Sequence, residues 1–334
     1  MKIVNMHLYD YNAKFKTPVI TPKVKMNTRK ALFVELITDK GKSYFGESNA
    51  FETNWYANET IEDVKHFSKL WFQQVQGKTF HSFLEIQDAL TQLSNYPATR
   101  SMLVMACYQM FHVLESLNVP YGATVNGMTS RNFQQLVQTQ PQRVKLKWNA
   151  DILDDVEKVS QLAFRPDIAI DANESLSKVD YDKLKTLSEA QILYIEEPFK
   201  SLQHLTHFEK NELPPVAIDE KATSKSLISQ AINDFGIEVV VLKPFRLGGI
   251  DKVMDLIKML NTLDVKIVIG GMYEYGLSRY FTAMLAQYAD YPSDITPEGY
   301  YYKVDMINQA GILKGGSIYF EPPVVNHKIL NFIC

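Results

Sequence analysis

Six short apolar runs follow one another through the middle of the chain: VKLKW (residues 144–148), IAIDAN (168–173), ILYIEE (192–197), VAIDE (216–220), VVVLK (239–243) and IVIGG (267–271). Each run carries a charged residue or a glycine pair at or near its end, and these marker residues recur every 23 to 27 residues. One strand, one helix and two turns occupy about that length of chain. The spacing predicts successive βα units whose strand ends bring Lys, Asp, Glu, Asp and Lys, in that order, to one rim.

A seventh unit precedes these six, with a strand candidate near 123–126 and a helix candidate at 131–138. Two of the later helices are clearly amphipathic, one after the N-cap candidate Ser224 and one after Gly249. Seven βα units favour an α/β fold with a closed barrel, in which ligands bind at the C-terminal ends of the strands. An open doubly wound sheet is the alternative, but no Gly-rich phosphate turn follows the first strands.

The composition and charge limit the class of protein. A chain of 334 residues that is 46% apolar can bury a large core, and we expect one large domain plus a smaller one. A net charge of −3 without a long charged run argues against nucleic acid and against an anionic membrane surface as partners, so we expect a small-molecule substrate. A homo-oligomer is compatible with the sequence.

The sequence also indicates a compartment. The two cysteines, Cys107 and Cys334, give no disulfide framework, which fits a reducing environment. The first ten residues lack a cationic segment followed by an apolar one, and no apolar run reaches the roughly 18 residues of a membrane helix. We therefore expect a cytoplasmic protein.

The first 120 residues predict a smaller α+β domain, completed by about 300–334, and we expect the barrel at 121–299. This smaller domain has three strand candidates and three amphipathic helix candidates, at 3–9, 31–37, 43–47, 60–75, 83–93 and 102–113. A last strand candidate at 318–320 is expected to return to the N-terminal sheet.

Two segments of the smaller domain have no clear period. Residues 14–28 contain Pro18 and Pro22, and we predict a loop there. Residues 51–58 place Trp55 and Tyr56 among polar residues, which fits either a loop over a site or ordinary packing between domains.

Lys145 and Lys147 are separated by one residue, so on a strand they face the same side, which in a barrel is the interior or its mouth. Two neighbouring ammonium groups repel, which lowers the pKa of at least one and would provide a neutral lysine base near neutral pH. The alternative, solvated lysines on an exposed edge strand, is disfavoured by the apolar βα context.

Asp171, Glu196 and Asp219 end three consecutive strands, and carboxylates on adjacent barrel strands converge. Without partners they would be strongly destabilising unless a hard dication lay between them. No histidine accompanies them, so the all-oxygen set favours Mg²⁺, or Mn²⁺, over Zn²⁺. In the alternative arrangement, the three carboxylates are ion-pair partners of Lys145, Lys147 and Lys243.

Lys243 lies on the other side of the carboxylates from Lys147 in strand order. Around a central metal ion, the two lysines would address opposite faces of a substrate. This arrangement suggests proton abstraction next to a carboxylate, with the metal stabilising an enediolate and a lysine taking the proton. Gly270 and Gly271 leave room for a ligand and present backbone N–H groups, or form only a tight turn.

Other charged residues are expected to have smaller parts. Glu197 and Glu220 each directly follow a carboxylate of this set, so alternation turns them away and gives them supporting roles. His204 and His207, three residues apart without an acidic partner, are predicted to be solvated.

These residues together resemble the enolase superfamily and, within it, the muconate-lactonising branch. The matching segments are Lys145-Leu146-Lys147, Asp171-Ala172-Asn173, Glu196-Glu197-Pro198, Asp219-Glu220 and Lys243-Pro244. The resemblance covers essentially the whole chain. It implies a modified TIM barrel, (β/α)₇β, with an N-terminal α+β capping domain.

Three further stretches are similar to the o-succinylbenzoate synthases of Gram-positive bacteria: residues 46–53 (GESNAFET), 241–249 (VLKPFRLGG) and 270–274 (GGMYE). The similarity implies a lyase of menaquinone biosynthesis. Its reaction is the Mg²⁺-assisted syn dehydration of 2-succinyl-6-hydroxy-2,4-cyclohexadiene-1-carboxylate to o-succinylbenzoate.

The resemblance also assigns roles. It implies that Lys147 removes the proton alpha to the carboxylate and returns it to the departing hydroxyl, while Lys243 stays cationic beside the enediolate. The Mg²⁺ ligands would be Asp171, Glu196 and Asp219. The residues that would contact substrate or support the site are Lys145, Asn173, Gly270, Gly271 and Met272. Many relatives have Ser at the two glycines, so hydroxyl contacts to the succinyl tail do not transfer.

Three other functions compete. An N-acylamino acid racemase would use Lys147 and Lys243 as bases on opposite faces, and the motifs do not separate it from the synthase. A Schiff-base aldolase using Lys243 would not need three metal-binding carboxylates. A barrel that only binds has no use for three converging acids and two lysines.

Overall fold

The computed structural model describes residues 1–21, 23–209 and 211–334. Its N-terminal layer is an antiparallel sheet of β1 (Ile3–Ile20), β2 (Lys25–Thr38) and β3 (Ser43–Glu47). The three predicted strands are therefore present, and the first two are longer than expected.

The loop predicted at 14–28 is wrong in the part that the structure describes, because β1 and β2 continue into it; Pro22 lies outside the described residues. The strand register shifts between Lys14 and Val19, around Pro18, which has no N–H to contribute to the ladder. A distant segment supports the extension, since the N–H of Lys16 donates to the carbonyl of Tyr301 at 2.8 Å. A local sequence window does not contain that partner.

Three helices follow where the sequence predicted them: α1 (Ile61–Val75), α2 (Phe83–Ala89) and α3 (Pro97–Phe111). Thr60 and Asp63 form a capping box that fixes the start of α1. The buried helix α3 packs against β3 so closely that a Cβ on Gly46 would overlap the carbonyl of Met102. Its other side contacts the barrel, so α3 joins the two layers.

After β4 (Leu117–Pro120), the chain enters a curled, fully parallel sheet of seven strands. They are β5 (Gly122–Val125), β6 (Arg143–Lys147), β7 (Asp167–Asp171), β8 (Ile192–Glu196), β9 (Val216–Ile218), β10 (Val239–Leu242) and β11 (Lys266–Ile269), and they pair in chain order. The predicted parallel barrel strands are confirmed, because each buried apolar run forms one strand.

Helices cover the outside of this sheet: α4 (Ser130–Thr139), α5 (Ile152–Ser160), α6 (Tyr181–Ser188), α7 (Lys225–Phe235), α8 (Pro244–Leu247), α9 (Ile250–Thr262) and α10 (Gly276–Ala286). Ser224 caps α7 as predicted, since its side chain accepts from the N–H of Leu227. Between β8 and β9 the connection is a 3₁₀ segment, Leu202–His207.

Residues 290–295 take the eighth position of the barrel. They run parallel to β11, with the N–H of Asp290 donating to Ile267 and that of Asp294 to Ile269. On the other side they lie against β5, where a Cβ on Gly122 would come within 2.8 Å of the carbonyl oxygen of Ser293. This segment therefore lies between the two edge strands of the parallel sheet.

The C-terminal strands divide between two sheets. β12 (Ile312–Lys314) and β13 (Ser317–Phe320) pair with β4, whereas β14 (Asn331–Phe332) pairs with β1. The strand predicted at 318–320 is thus present, but its expected pairing with the N-terminal sheet is wrong. The division into 1–120 with 300–334, and 121–299, stays a prediction. No helix in the described part of the chain is both long and apolar enough to cross a membrane.

Candidate active site

Strand pairing brings five of the predicted residues to one rim of the barrel. Lys147 lies in register with Asp171, and Asp171 with Glu196, at the ends of β6, β7 and β8. Asp219 directly follows β9, and Lys243 directly follows β10. The carboxyl ends of parallel strands share one side of the barrel, so these groups face a common mouth.

Each of the three carboxylates is paired with a lysine. The nitrogen–oxygen distances are 2.5 Å for Lys147–Asp171, 2.9 Å for Lys145–Glu196 and 2.5 Å for Lys243–Asp219. Among the described residues, no three acidic, histidine or cysteine side chains are already arranged to hold a metal ion. The carboxylates are thus ion-paired with lysines in this structure, and the metal set of Asp171, Glu196 and Asp219 stays a prediction.

The paired carboxylates differ in their proton affinity. Burial raises the pKa of Glu196 well above its ordinary value; Lys145 opposes this rise, and the carboxylates of Asp171 and Asp294 add to it. Burial also disfavours the ionised form of Asp219, but Lys243 and Arg246 outweigh it and lower its pKa to about 2. Burial therefore favours the protonated form of Glu196, whereas two cations keep Asp219 ionised.

The sequence predicted a lowered pKa for at least one lysine of the Lys145–Lys147 pair, and at Lys145 the shift is upward. Burial disfavours its ammonium form, but Asp294 and Glu196 raise its pKa well above the ordinary value. Its Nζ lies 2.6 Å from Asp294 and 2.9 Å from Glu196. The two carboxylates thus outweigh burial, and of the two only Glu196 was part of the sequence pattern.

Lys147 and Lys243 occupy unlike surroundings. The side chain of Lys147 is 37% exposed, and its Nζ also donates to Asn173 at 2.8 Å. The side chain of Lys243 is 7% exposed, and its Nζ lies 3.4 Å from the hydroxyl of Tyr56. Although burial lowers the pKa of Lys243, Asp219 raises it further, so the net shift is upward.

Arg246 and Tyr56 join the site beside Lys243. Arg246 donates from Nη2 to Asp219 at 2.8 Å and from Nη1 to the hydroxyl of Tyr56 at 2.9 Å. Arg246 is in the single-turn helix α8, three residues after Lys243, and residues three apart on a helix share a face. That spacing could have identified it. Tyr56 belongs to the segment 51–58, for which the sequence allowed either a loop over a site or ordinary packing between domains. Its contacts with Lys243 and Arg246 show that the segment reaches the site.

Two more charged groups lie below the rim. Arg143 donates to Asp294 at 2.6 Å and to the hydroxyl of Tyr194 at 2.7 Å. The alternation that pairs Lys145 with Lys147 on one side of β6 extends to Arg143 and could have identified it. Asp294 gave no such signal, because it follows an irregular segment after α10.

Of the two glutamates that follow metal-ligand candidates, Glu197 supports the end of β9 and Glu220 makes no such contact through its Oε2. Glu197 accepts hydrogen bonds from the backbone N–H groups of Asp219 and Lys221 and from the side chain of Lys221. Glu220 has a buried Oε2 with no hydrogen-bond partner among the described residues. Burial, together with Asp219, raises the pKa of Glu220.

The glycine pair after β11 makes room for functional side chains. A Cβ on Gly270 would lie 2.8 Å from Cε of Lys243, and a Cβ on Gly271 would overlap the carboxylate of Glu274. Hence the glycines do more than complete a tight turn. Met272 is half-buried beside them, and the contact of this backbone with a succinyl carboxylate stays a prediction.

Non-glycine residues adopt left-handed backbone conformations at several places on this rim. The φ angles are 45° for Asn173, 43° for Glu197 and 49° for Tyr273. Such conformations carry strain that the surrounding contacts must hold, and strain of this kind concentrates at functional sites.

A cavity of about 330 Å³ reaches Lys147 from the side of β5 and α4. It is lined by Tyr121, Ala123, Thr124, Val125, Asn126, Asn132, Gln135, Leu136, Thr139, Lys147 and Tyr300.

The two histidines lie away from this site. His204 is stacked on Phe199 and bonded to the hydroxyl of Tyr181, so its predicted solvation is wrong. His207 is exposed as predicted.

The donors at the rim fit a hard dication. Asp171, Glu196 and Asp219 offer only carboxylate oxygens, the ligands that Mg²⁺ prefers. The buried Oε2 of Glu220, directly after Asp219, is an oxygen for which the described residues provide no hydrogen-bond partner, as expected beside a site for a cation. Metal binding would require the lysines to release the oxygens of the three carboxylates.

Comparisons with known proteins agree with this architecture. The family described as enolase C-terminal domain-like matches residues 129–320. The o-succinylbenzoate synthase of Bacillus subtilis is 26% identical over 92% of this chain and 88% of its own length. The N-succinylamino acid racemase of Thermus thermophilus is 22% identical over 87% of this chain and 85% of its own.

A solved structure shares the fold. The dipeptide epimerase from Enterococcus faecalis, complexed with Mg and the dipeptide L-Leu-L-Tyr, superposes with a TM-score of 0.80. The match covers 99% of this chain and 100% of that one at 18% sequence identity.

Proposed function

Because this chain belongs to the enolase C-terminal domain-like family and is therefore an enzyme of the enolase superfamily, we propose that it is an o-succinylbenzoate synthase. The proposed reaction is the Mg²⁺-dependent syn dehydration of 2-succinyl-6-hydroxy-2,4-cyclohexadiene-1-carboxylate. The overall similarity to the synthase of Bacillus subtilis supports this choice.

The observation that carries the proposal is the inequality of the two lysines that flank the carboxylates. Lys147 is partly exposed and lines a cavity, so it can meet a substrate and exchange a proton. Lys243 is buried between Asp219 and Tyr56, which suits a fixed positive charge. A syn dehydration needs one base and one stabilising cation, whereas racemisation needs two bases.

In the proposed mechanism, Nζ of Lys147 takes the proton from the carbon alpha to the carboxylate. The ammonium of Lys243 faces the oxygen on which charge develops. Lys147 then gives the same proton to the hydroxyl on the same face, and the C–O bond breaks to release water. Asn173 holds Lys147 in place through its 2.8 Å hydrogen bond.

Asp171, Glu196 and Asp219 would hold the Mg²⁺. When bound, the ion supplies electrostatic stabilisation of the enediolate. Lys145 would release the oxygens of Glu196 to the ion and keep its contact with Asp294. The backbone of Gly270, Gly271 and Met272 would line the far side of the substrate.

The second candidate is an N-acylamino acid racemase. Its support is the similarity to the racemase of Thermus thermophilus, together with two lysines that both reach the carboxylate rim. In that reaction Lys243 would also take and give a proton.

One assay separates the two functions. The purified enzyme receives the cyclohexadiene substrate and, in parallel, an N-succinyl amino acid, while diene absorbance and optical rotation are followed. We expect dehydration that requires Mg²⁺, disappears in Lys147→Ala and persists in Lys185→Ala, which alters an exposed ion-paired lysine. Racemisation without dehydration would refute the synthase assignment, and full turnover in EDTA would refute the metal.

The same proposal includes the setting of the reaction. We propose that the enzyme works in the cytoplasm, in menaquinone biosynthesis, on a small-molecule carboxylate and without nucleic acid or membrane as partner. A homo-oligomer is the proposed assembly, and sedimentation of the purified protein would test it.

A further inference from the structure

We propose that Asp294 is a positioning residue for metal binding: by retaining the ammonium of Lys145, it leaves Glu196 free to bind Mg²⁺. The inference rests on the Mg²⁺ site of the proposed function. It assigns a role to Asp294, which lies in the segment 290–295 below the rim.

Three cations stand in a row along β6. Arg143, Lys145 and Lys147 are every second residue, so their side chains share one side of the strand. Arg143 is fully buried and Lys145 is 5% exposed, whereas Lys147 reaches the rim. Buried cations of this kind require matched carboxylates, because an unpaired buried charge is strongly destabilising.

Asp294 serves two of these cations at once. Its Oδ1 lies 2.6 Å from Nη2 of Arg143, and its Oδ2 lies 2.6 Å from Nζ of Lys145. Its own backbone is fixed, since its N–H donates to the carbonyl of Ile269 on the neighbouring strand. Arg143 is held in turn by the hydroxyl of Tyr194 at 2.7 Å.

Lys145 therefore has two carboxylate partners, one of which is a proposed metal ligand. Its contact with Asp294 is shorter, at 2.6 Å, than its contacts with Glu196, at 2.9 and 3.2 Å. Arg143, Lys145, Asp294 and Glu196 together are electrically balanced. When Glu196 binds Mg²⁺ instead of Lys145, Asp294 still pairs with both Arg143 and Lys145.

Without the charge of Asp294, Glu196 would be the remaining carboxylate among these four groups. Lys145 would then pair with Glu196 alone and compete with the metal for the same oxygens. Residues that orient metal ligands from behind typically change metal affinity by about 10- to 100-fold when they are replaced.

The test is calorimetric titration of the metal-free enzyme with Mg²⁺. We expect Asp294→Asn to weaken Mg²⁺ binding about 10- to 100-fold. The matched control is Asp264→Asn, which removes the carboxylate of an exposed pair with Lys266 and should leave the affinity unchanged. Thermal unfolding of the metal-free proteins, measured separately, reports any purely structural effect.

Asp294→Glu keeps the charge but moves the carboxylate by one methylene group, so we expect an intermediate affinity; it also serves if Asp294→Asn does not fold. Wild-type Mg²⁺ affinity in the variants, with or without lowered thermal stability, would overturn the inference. If wild-type protein binds no Mg²⁺, both the inference and the proposed metal fail. If it binds Mg²⁺ but does not dehydrate the substrate, the proposed reaction fails while the comparison of variants still decides the role of Asp294.

Discussion

The two sides of the barrel mouth carry the same residue type in opposite surroundings. On the β6–β7 side, Lys147 contacts Asp171 and Asn173 of the neighbouring strand end and is 37% exposed. On the β10 side, Lys243 contacts Asp219 and, from the N-terminal part of the chain, Tyr56. A lysine held only by its own barrel rim can move to meet a substrate, whereas one enclosed by a second layer is kept in place as a charge.

Arginine substitutions test this comparison most strongly. Arginine keeps the positive charge but cannot act as a base, because its pKa is above about 12. We expect Lys147→Arg to lower kcat/KM for dehydration by about 10²- to 10⁴-fold, the usual contribution of a general base. Lys243→Arg should lose much less, and any racemisation should vanish in both variants. If kcat/KM for dehydration falls equally in the two variants, the assignment of Lys147 as base and Lys243 as fixed cation is wrong.

The next largest effect concerns the partners of the two lysines. Arg246 is buried against Asp219, and removing one member of a buried ion pair costs about 3–5 kcal/mol. We therefore expect Arg246→Met to lower the free energy of unfolding by about that amount. Asn173→Gly, which tolerates the left-handed φ and removes the bond to Lys147, should cost about 1 kcal/mol. Urea unfolding measures both, and a larger cost for Asn173→Gly would reverse the comparison.

A third effect is the pH dependence of stability that a buried carboxyl group on the Lys243 side of the molecule produces. Glu47 of β3 accepts hydrogen bonds from the N–H groups of Tyr275 and Ser278, at the start of α10. Burial raises the pKa of Glu47 from 4.5 to about 8. Between these values the folded protein holds a proton that the unfolded chain has released, so this residue makes stability fall as pH rises, by about 1.4 kcal/mol per pH unit. Above pH 8 the contribution levels off.

The measurement is the stability of the wild type relative to Glu47→Gln from pH 5 to pH 8. We expect the difference to decrease steadily with pH across this window. Glu62→Gln, on an exposed ion-paired side chain, is the control and should give a flat difference. A flat difference for Glu47→Gln as well would show that its carboxyl group is already ionised in the folded protein.

The barrel was predictable because its information is local. Each parallel strand is buried on both faces, so it appears as a continuous apolar run, and the marker residue at its end occupies the rim. The long β1–β2 hairpin was not predictable, since the N–H of Lys16 finds its partner at Tyr301, almost 300 residues away in the sequence. The pairing of β13 with β4 is decided by the same kind of distant contact.

The residues of the site also divide into those that the sequence could identify and those that it could not. Lys147, Asp171, Glu196, Asp219 and Lys243 were identified from one repeated spacing, and the parallel register places them together. Arg246 and Arg143 follow from spacings of three and two residues that the sequence did contain. Asp294 and Tyr56 come from an irregular segment and from another layer, where no period leads to them.

The sequence by itself determined a seven-unit parallel barrel and the order of five charged groups around its mouth, because strand length and alternation are properties of neighbouring residues. Tertiary structure alone decided the charge environment of each group. It placed Asp294 on Lys145, which raises the pKa of that lysine, and Tyr56 on Lys243. Electrostatic interactions depend on distance in space and on burial, and those become defined only when segments far apart in the sequence pack together.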